Sequence, residues 1–221
     1  MSADPVAEQS PFLSGIVLAA GASTRLGRPK QLLPFGDRCL LQRVIDEAAH
    51  SRLHEIVVVL GHRAAEIRRA LRLPGRARIV VNSDHVAGQG ASLAAGLCAA
   101  DARATAAAVL LGDQPGVSAA LIDRVVEAFL AGHTPAARPV YVGTDRRVPG
   151  HPVLLARRVW PEVVPRVVHP GAQPGASEGA RSALAAHPEW LLEVVLDGEP
   201  PADIDTWEDY RRSIDALPRI D

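Results

Sequence analysis

Cysteine is scarce in this chain: Cys39 and Cys98 are the only two in 221 residues. They stand far apart, form no CxxC pair and share no metal-ligand spacing with histidine, which excludes a disulfide scaffold and a zinc module. A reducing, cytoplasmic setting is the expectation. No lysine or arginine precedes Arg25, so a secretory signal would lack its basic start. The apolar runs Ile16–Ala20, Val57–Leu60 and Ala106–Leu111 are far too short to span a bilayer, so no membrane partner is expected. Formal net charge is −1 and the 24 basic residues are scattered, which excludes the basic footprint of a nucleic-acid binder. With 48% hydrophobic residues, the chain has ample material for one core.

Two further scarcities are informative. Among the 24 Lys and Arg residues only Lys30 is lysine, and Asn82 is the only asparagine. Where arginine has replaced nearly every lysine, the survivor marks a place that needs a compact ammonium. A crowded phosphate site is such a place, because a planar guanidinium does not fit there.

Residues 1–14 are polar, contain proline and lack periodicity, and read as a disordered tail; residues 15–221 form the expected domain. Buried strands are expected at Gly15–Ala20 and Glu55–Leu60, and further strands at Ala77–Val81 and Ala106–Leu111. Between and after them lie helical patterns at Leu40–Ala48, Ala64–Leu71 and Ala91–Ala100, and from the cap Ser118 to about Ala131. That alternation predicts a mostly parallel sheet covered on both faces, a Rossmann-like three-layer α/β sandwich. The second half is less regular. Strands at Arg138–Val142, Pro152–Leu155 and Leu191–Leu196 should extend the same sheet, with a Pro/Gly-rich loop at 165–175 and a short helix at Ala180–Ala186. A last helix starts near Thr206, which forms a capping-box-like pair with Asp209.

Ligands of such sheets bind beyond the carboxyl ends of the strands, so the loops after Ala20, Val81 and Leu111 should open on one edge. The first loop reads Leu18-Ala19-Ala20-Gly21-Ala22-Ser23-Thr24-Arg25-Leu26-Gly27-Arg28-Pro29-Lys30. A glycine turn after a strand presents backbone N–H groups to phosphate, and Arg25 and Lys30 add positive charge. The GxGxxG fingerprint is absent. The Walker A pattern fails as well, since five residues separate Gly21 from Gly27 and Arg28-Pro29 follows.

The loop pattern LAAGxSxRxGxxK resembles that of the MobA-like NTP transferases, nucleotidyltransferases of the molybdenum-cofactor group, and most of all their cytidylyltransferase branch. Further matching segments follow in order. They are Asn82 with Gly88, Ser92-Leu93 and Gly96; Gly112-Asp113-Gln114-Pro115; Gly150-His151-Pro152-Val153; Gly179-Ala180-Arg181; and Asp203-Ile204-Asp205-Thr206. The resemblance implies the nucleotide-diphospho-sugar transferase-like fold. It also implies transfer of CMP from CTP to molybdopterin with release of pyrophosphate, and a molybdoenzyme or its maturation factor as recipient of the product.

By the same resemblance, Leu18, Ala19, Ala20, Gly21, Arg25, Lys30, Asn82, Ser92 and Asp113 bind the nucleotide, and Arg25, Lys30 and Asp113 carry catalysis. His151 and Arg181 contact the acceptor. Asp113 and Asp205, the latter ahead of Asp203, hold Mg²⁺, which takes few carboxylates alongside substrate phosphates. Two such carboxylates repel without a cation, so one is expected to hold a proton. Guanylyl enzymes of the family usually have Leu-Ala-Gly-Gly, where the extra glycine leaves room for a purine; Ala20 favours CTP.

The sequence departs from the family at Ala176-Ser177, where Gly-Asp is frequent, at Gly90 in place of Ser, and at Trp207 in place of Pro. Its Val142–Val148 segment is longer. The acceptor half is therefore matched less well than the nucleotide half. Three other readings stand beside the leading one: an NTP transferase with GTP or another phosphorylated acceptor, an NAD(P)H-dependent oxidoreductase relative, and a non-catalytic cofactor carrier. Absence of GxGxxG argues against the second, and intact Lys30 and Asp113 against the third.

Overall fold

A computed structural model describes residues 10–143, 146–164 and 180–217. In chain order the strands and helices are β1 (Phe12–Ala19), β2 (Pro34–Phe35), β3 (Arg38–Cys39), α1 (Leu40–His50), β4 (Glu55–Leu60), α2 (Ala64–Ala70) and β5 (Ala77–Val81). They continue with α3 (Gln89–Ala99), β6 (Ala104–Leu111), α4 (Ala119–Gly132), β7 (Ala136–Val142), β8 (Arg147–Pro149) and β9 (Val153–Ala156). The last are α5 (Trp160–Val163), α6 (Ala180–Ala186), β10 (Leu191–Asp197) and α7 (Trp207–Asp215).

One sheet holds the fold, in the order β10-β7-β9-β6-β1-β4-β5, with β8 paired to β7. The pairs β1–β4, β1–β6, β4–β5 and β7–β10 are parallel, while β9 runs antiparallel between β6 and β7. Strand alternation sends successive side chains to opposite faces. Val17, Ile56, Val58 and Leu60 pack with Val44 and Ile45 of α1, Ile67 of α2 and Ile122 and Val125 of α4. Ile16, Val57 and Val59 pack on the other face with Leu93 and Leu97 of α3, Trp160 and Val163 of α5 and Leu184 of α6. The result is a three-layer α/β/α sandwich. Gly96 lets α3 lie close to the sheet, because a Cβ there would run into Ile16 and Val59.

The expected elements are present with shifted ends. β1 begins at Phe12, so residues 12–14 belong to the sheet rather than to the tail. Main-chain pairing explains this, since Phe12 to Ser14 are matched to Ala104 to Ala107 of β6. The β2–β3 hairpin and β8 have no counterpart in the sequence reading; at two or three residues each they are too short to show a period. Ser118 caps α4, accepting from Leu121 N at 3.2 Å. Thr206 and Asp209 form a reciprocal capping box on α7. Tyr210 and Ile214 of that helix, with Ile204 just before it, pack against Phe35 of the hairpin and Leu40 at the start of α1. The expected loop at 165–175, the departure at Ala176-Ser177, Gly179 and residues 1–9 lie outside the described residues, as do 144–145 of the longer segment.

Candidate active site

The first loop is shaped by its backbone. Ser23 (φ 54°) and Gly27 (φ 68°) take left-handed conformations on either side of a single 3₁₀ turn, Thr24–Leu26. Gln31, 2% exposed, braces the loop from beneath. Its amide nitrogen donates to Ala19 O at 2.9 Å and Gly21 O at 3.1 Å, and Lys30 N donates to Ser23 Oγ at 3.1 Å. The carbonyls thus turn inward. Among the described residues, the N–H groups of Gly21 through Arg25 donate to no protein acceptor. Free amides in a tight turn are a cradle for phosphate oxygens.

Charge is concentrated beside that cradle. Lys30 Nζ lies 2.5 Å from Asp113 Oδ2 and 2.7 Å from Asp205 Oδ1, and Arg25 Nη2 lies 2.7 Å from Asp205 Oδ2. Asp113 follows the carboxyl end of β6, and its carbonyl accepts from Ile204 N at 3.1 Å. That bond stitches the 203–206 segment to the sheet edge. Burial pulls the Lys30 ammonium toward the neutral form, but the Asp113 carboxylate, followed by Asp205, outweighs it and holds the pKa above its ordinary value. The bond from Lys30 outweighs partial burial at Asp205 and keeps its carboxyl below the usual range. The expected repulsion between the two carboxylates is therefore answered by the ammonium of Lys30 rather than by a proton on Asp205.

Asp203 faces elsewhere. It accepts from Gln114 Nε2 at 2.8 Å, and burial, with the Asp113 charge second, raises its pKa. Asp205 is the carboxylate that shares a cation with Asp113. The two carboxylates already bracket one cation, so the donor set suits a divalent ion. Among the described residues no group of three or more His, Cys, Asp or Glu converges. The remaining ligands would come from phosphates and water, as Mg²⁺ prefers.

A cavity of about 250 Å³ opens here, lined by Leu18 to Gly21, Lys30, Ser92 and Asp113. His85 and Gln89 also line it and were not singled out by sequence. Arg25 reaches the site through Asp205 rather than from the cavity wall, its side chain being 64% exposed. Asn82 stands behind the wall: Nδ2 donates to Ser92 Oγ at 3.2 Å and Oδ1 accepts from Asp84 N at 3.0 Å. It positions Ser92 and a turn rather than touching the cavity.

A second cavity, of about 220 Å³, shares Leu18, Gln89 and Leu111 with the first. His151 and Arg181 line it, together with Gln114, Arg138 and Asp203. Burial, then the nearby Arg181 and Arg138 charges, lower the His151 pKa to about 4, so the imidazole is neutral at pH 7. Among the described residues, Gln114 Oε1 and Arg138 Nε are buried without a partner. Each such atom costs about 1–3 kcal/mol until something pairs with it. Arg138 had no sequence signal, being one more arginine in a strand. A larger hollow of about 490 Å³, walled by Phe35, Arg43 and Leu217, contains none of the loop or carboxylate groups above.

A turn with free amides, a carboxylate-bracketed ammonium and a parallel sheet edge thus share one site. The MobA-like NTP transferase domain matches residues 15–190. The chain belongs to this family. It is 34% identical to the nicotine blue oxidoreductase of Paenarthrobacter nicotinovorans over 206 residues, covering 91% of this chain and 96% of that one. It matches the bifunctional protein GlmU of Kineococcus radiotolerans at 37% identity over 121 residues, only 24% of that protein. The crystal structure of Rv0371c from Mycobacterium tuberculosis H37Rv superposes with TM-score 0.77 at 32% identity, covering 93% of this chain and 99% of that one. A complex of Rv0371c with manganese superposes with TM-score 0.73 at 31% identity, covering 93% and 100%. The family and fold expected from the sequence are those found. Among the described residues no helix is long and apolar enough to cross a membrane.

Proposed function

We propose that this protein is a cytoplasmic, Mg²⁺-dependent nucleotidyltransferase that moves CMP from CTP to a molybdopterin-type acceptor. The observation that carries this reading is Lys30, held between Asp113 and Asp205 beside five loop amides that have no partner among the described residues. The amides, Lys30 and Arg25 would take the triphosphate. Asp113 and Asp205 would hold Mg²⁺, which supplies charge neutralisation at the α-phosphate. The terminal phosphate of the acceptor, reaching in from the cavity of His151 and Arg181, attacks the α-phosphorus. The bond to the β-phosphate oxygen breaks and pyrophosphate leaves with that electron pair. Two anions meet in this step, so alignment and charge neutralisation are the main catalytic devices, and no protein nucleophile is needed. A neutral His151 adds a hydrogen-bonding group to the acceptor side without adding charge. The product would pass to a molybdoenzyme or its maturation factor.

A second reading, an NAD(P)H-dependent oxidoreductase, is favoured by the 34% identity to nicotine blue oxidoreductase across nearly the whole chain. One experiment separates the two. Pyrophosphate release is followed with each of the four NTPs and molybdopterin, and NAD(P)H oxidation is followed with nicotine blue. Pyrophosphate formed with CTP supports transfer. NAD(P)H consumption without pyrophosphate would favour the second reading.

A further inference from the structure

Trp207 is a large apolar side chain left 37% exposed, two residues after Asp205 and at the first position of α7. Its place is fixed nonetheless. The capping box of Thr206 and Asp209 sets the start of the helix. The Trp207 and Tyr210 rings meet edge to face, with centroids 5.8 Å apart and planes at 83°, and the Tyr210 hydroxyl donates to Pro34 O at 2.6 Å. Over the same indole lies Arg28 of the first loop, its guanidinium carbon 5.8 Å from the ring centroid. Arg28 stands between Gly27, which is in the left-handed region, and the buried Pro29. It makes no ion pair among the described residues.

Two contacts thus tie the first loop to the segment 205–207: the Arg25–Asp205 ion pair and the Arg28–Trp207 cation–ring contact. They differ in how a ligand affects them. Phosphate oxygens compete for Arg25 and a cation competes for Asp205, so an anion bound with its metal draws the ion pair apart. A cation over an indole face is held by the quadrupole of the ring and needs no carboxylate. This contact persists while the ion pair is given up, and among the aromatic side chains indole holds a cation best.

We propose that Arg28 and Trp207 form a latch that keeps the first loop folded against the 205–207 segment while the charged groups of the loop change partners. Both are positioning residues. They act through the turn whose amides, Gly21 to Arg25, are free, and they need not touch the nucleotide themselves. The inference builds on reading this loop as the triphosphate site, and adds to that reading what holds the loop in shape during binding.

The test is local opening of the loop, read by trypsin on the full chain without nucleotide. No lysine or arginine precedes Arg25, so a cut there releases residues 1–25 as one fragment, and Pro29 protects the bond after Arg28. Rates are referred to a peptide of residues 18–32 with the same change, which cancels intrinsic differences in cutting. Trp207→Leu should speed the cut about two- to fivefold, the worth of an exposed cation–ring contact. Arg28→Gln should do the same, and the two changes together no more than either alone, because each removes one shared contact. Trp207→Phe keeps a ring and should stay within about twofold of the wild type. Calorimetry with CTP and Mg²⁺ should show a Kd about two- to fivefold higher for Trp207→Leu, which removes no charge. Thermal melting reports folding. If Trp207→Leu does not fold, Arg28→Gln set against Arg28→Lys, which keeps the cation, decides the matter. Additive effects of the two changes overturn the inference, as does an unchanged cutting rate or an unchanged CTP affinity in a folded Trp207→Leu protein. If the wild type binds no CTP while cutting follows the predicted pattern, the nucleotide reading fails and only the latch stands.

Discussion

The two cavities solve the problem of an absent ligand in opposite ways. In the first, the charged groups satisfy one another: Lys30 is bonded to Asp113 and Asp205, and Arg25 to Asp205. In the second, Gln114 Oε1 and Arg138 Nε stay buried and unpaired, and His151 is kept neutral. The first site must exchange protein partners for ligand ones, because its ammonium and carboxylates already hold one another in place. The second is walled by a neutral imidazole and two arginines and, among the described residues, has no carboxylate–ammonium cluster like that of the first. The proposed nucleotide side thus carries charges that pair with one another, and the proposed acceptor side a neutral imidazole.

The largest expected effect strikes the charged side. Lys30→Arg should lower CTP turnover by about a hundredfold or more, the usual result of misplacing one preorganised donor. The guanidinium keeps the charge but spreads it over a wider planar fork, so it does not reproduce the single compact donor that Lys30 Nζ places between the two carboxylates. Steady-state pyrophosphate release measures it, and near-normal turnover would make the lone lysine an accident of composition.

Next come Asp113→Asn and Asp205→Asn. Each removes charge with little change of volume, and each should lower turnover by about ten- to a hundredfold. The fold should survive and nucleotide affinity should suffer less, because the loop amides remain. If Asp205→Asn leaves turnover and metal dependence untouched, Asp203 takes its place and the contrast between the two aspartates was misread.

A smaller effect concerns the base. Ala20 lines the first cavity and is itself 6% exposed, so CTP should exceed GTP in kcat/KM by about tenfold, as a methyl-sized difference in a closed pocket gives. Ala20→Gly should narrow that ratio in a competition assay. A wild type that turns over GTP as well as CTP contradicts it.

The last effect lies on the acceptor side and appears as stability rather than rate. The His151 pKa is about 4 in the fold against 6.5 for a free imidazole. Between those values the unfolded chain binds more protons, so stability falls as pH drops from 6.5 toward 4, by up to about 3 kcal/mol. Chemical denaturation across that window should show the slope, and His151→Gln should flatten it. An unchanged slope would place the titrating group elsewhere.

The sequence made the nucleotide half far more legible than the acceptor half. Apolar runs such as Ile56–Leu60 and the loop from Leu18 to Lys30 carry strong local signals, and the sheet edge brings them together. Gln31 was passed over because nothing in the sequence marks a polar residue as buried; its role appears only once Ala19 O and Gly21 O are found to need donors. Asn82 was noticed for its rarity, yet it braces Ser92 from behind the wall. On the acceptor side β8 and β9 are short and antiparallel, and Arg138 meets Glu193 from 55 residues away, so no local pattern announces their convergence. Short-range signals place the groups that act by charge. The groups of the second cavity are placed by tertiary contacts, which a sequence reading does not reach.

The most direct test of the central claim follows the α-phosphate. CTP labelled there is incubated with the protein, Mg²⁺ and molybdopterin, and the products are separated. The account predicts label in the acceptor, unlabelled pyrophosphate in equal amount, and both products slowed about ten- to a hundredfold with Asp113→Asn. Label that stays in CTP, in a protein that oxidises NAD(P)H with nicotine blue, would contradict it.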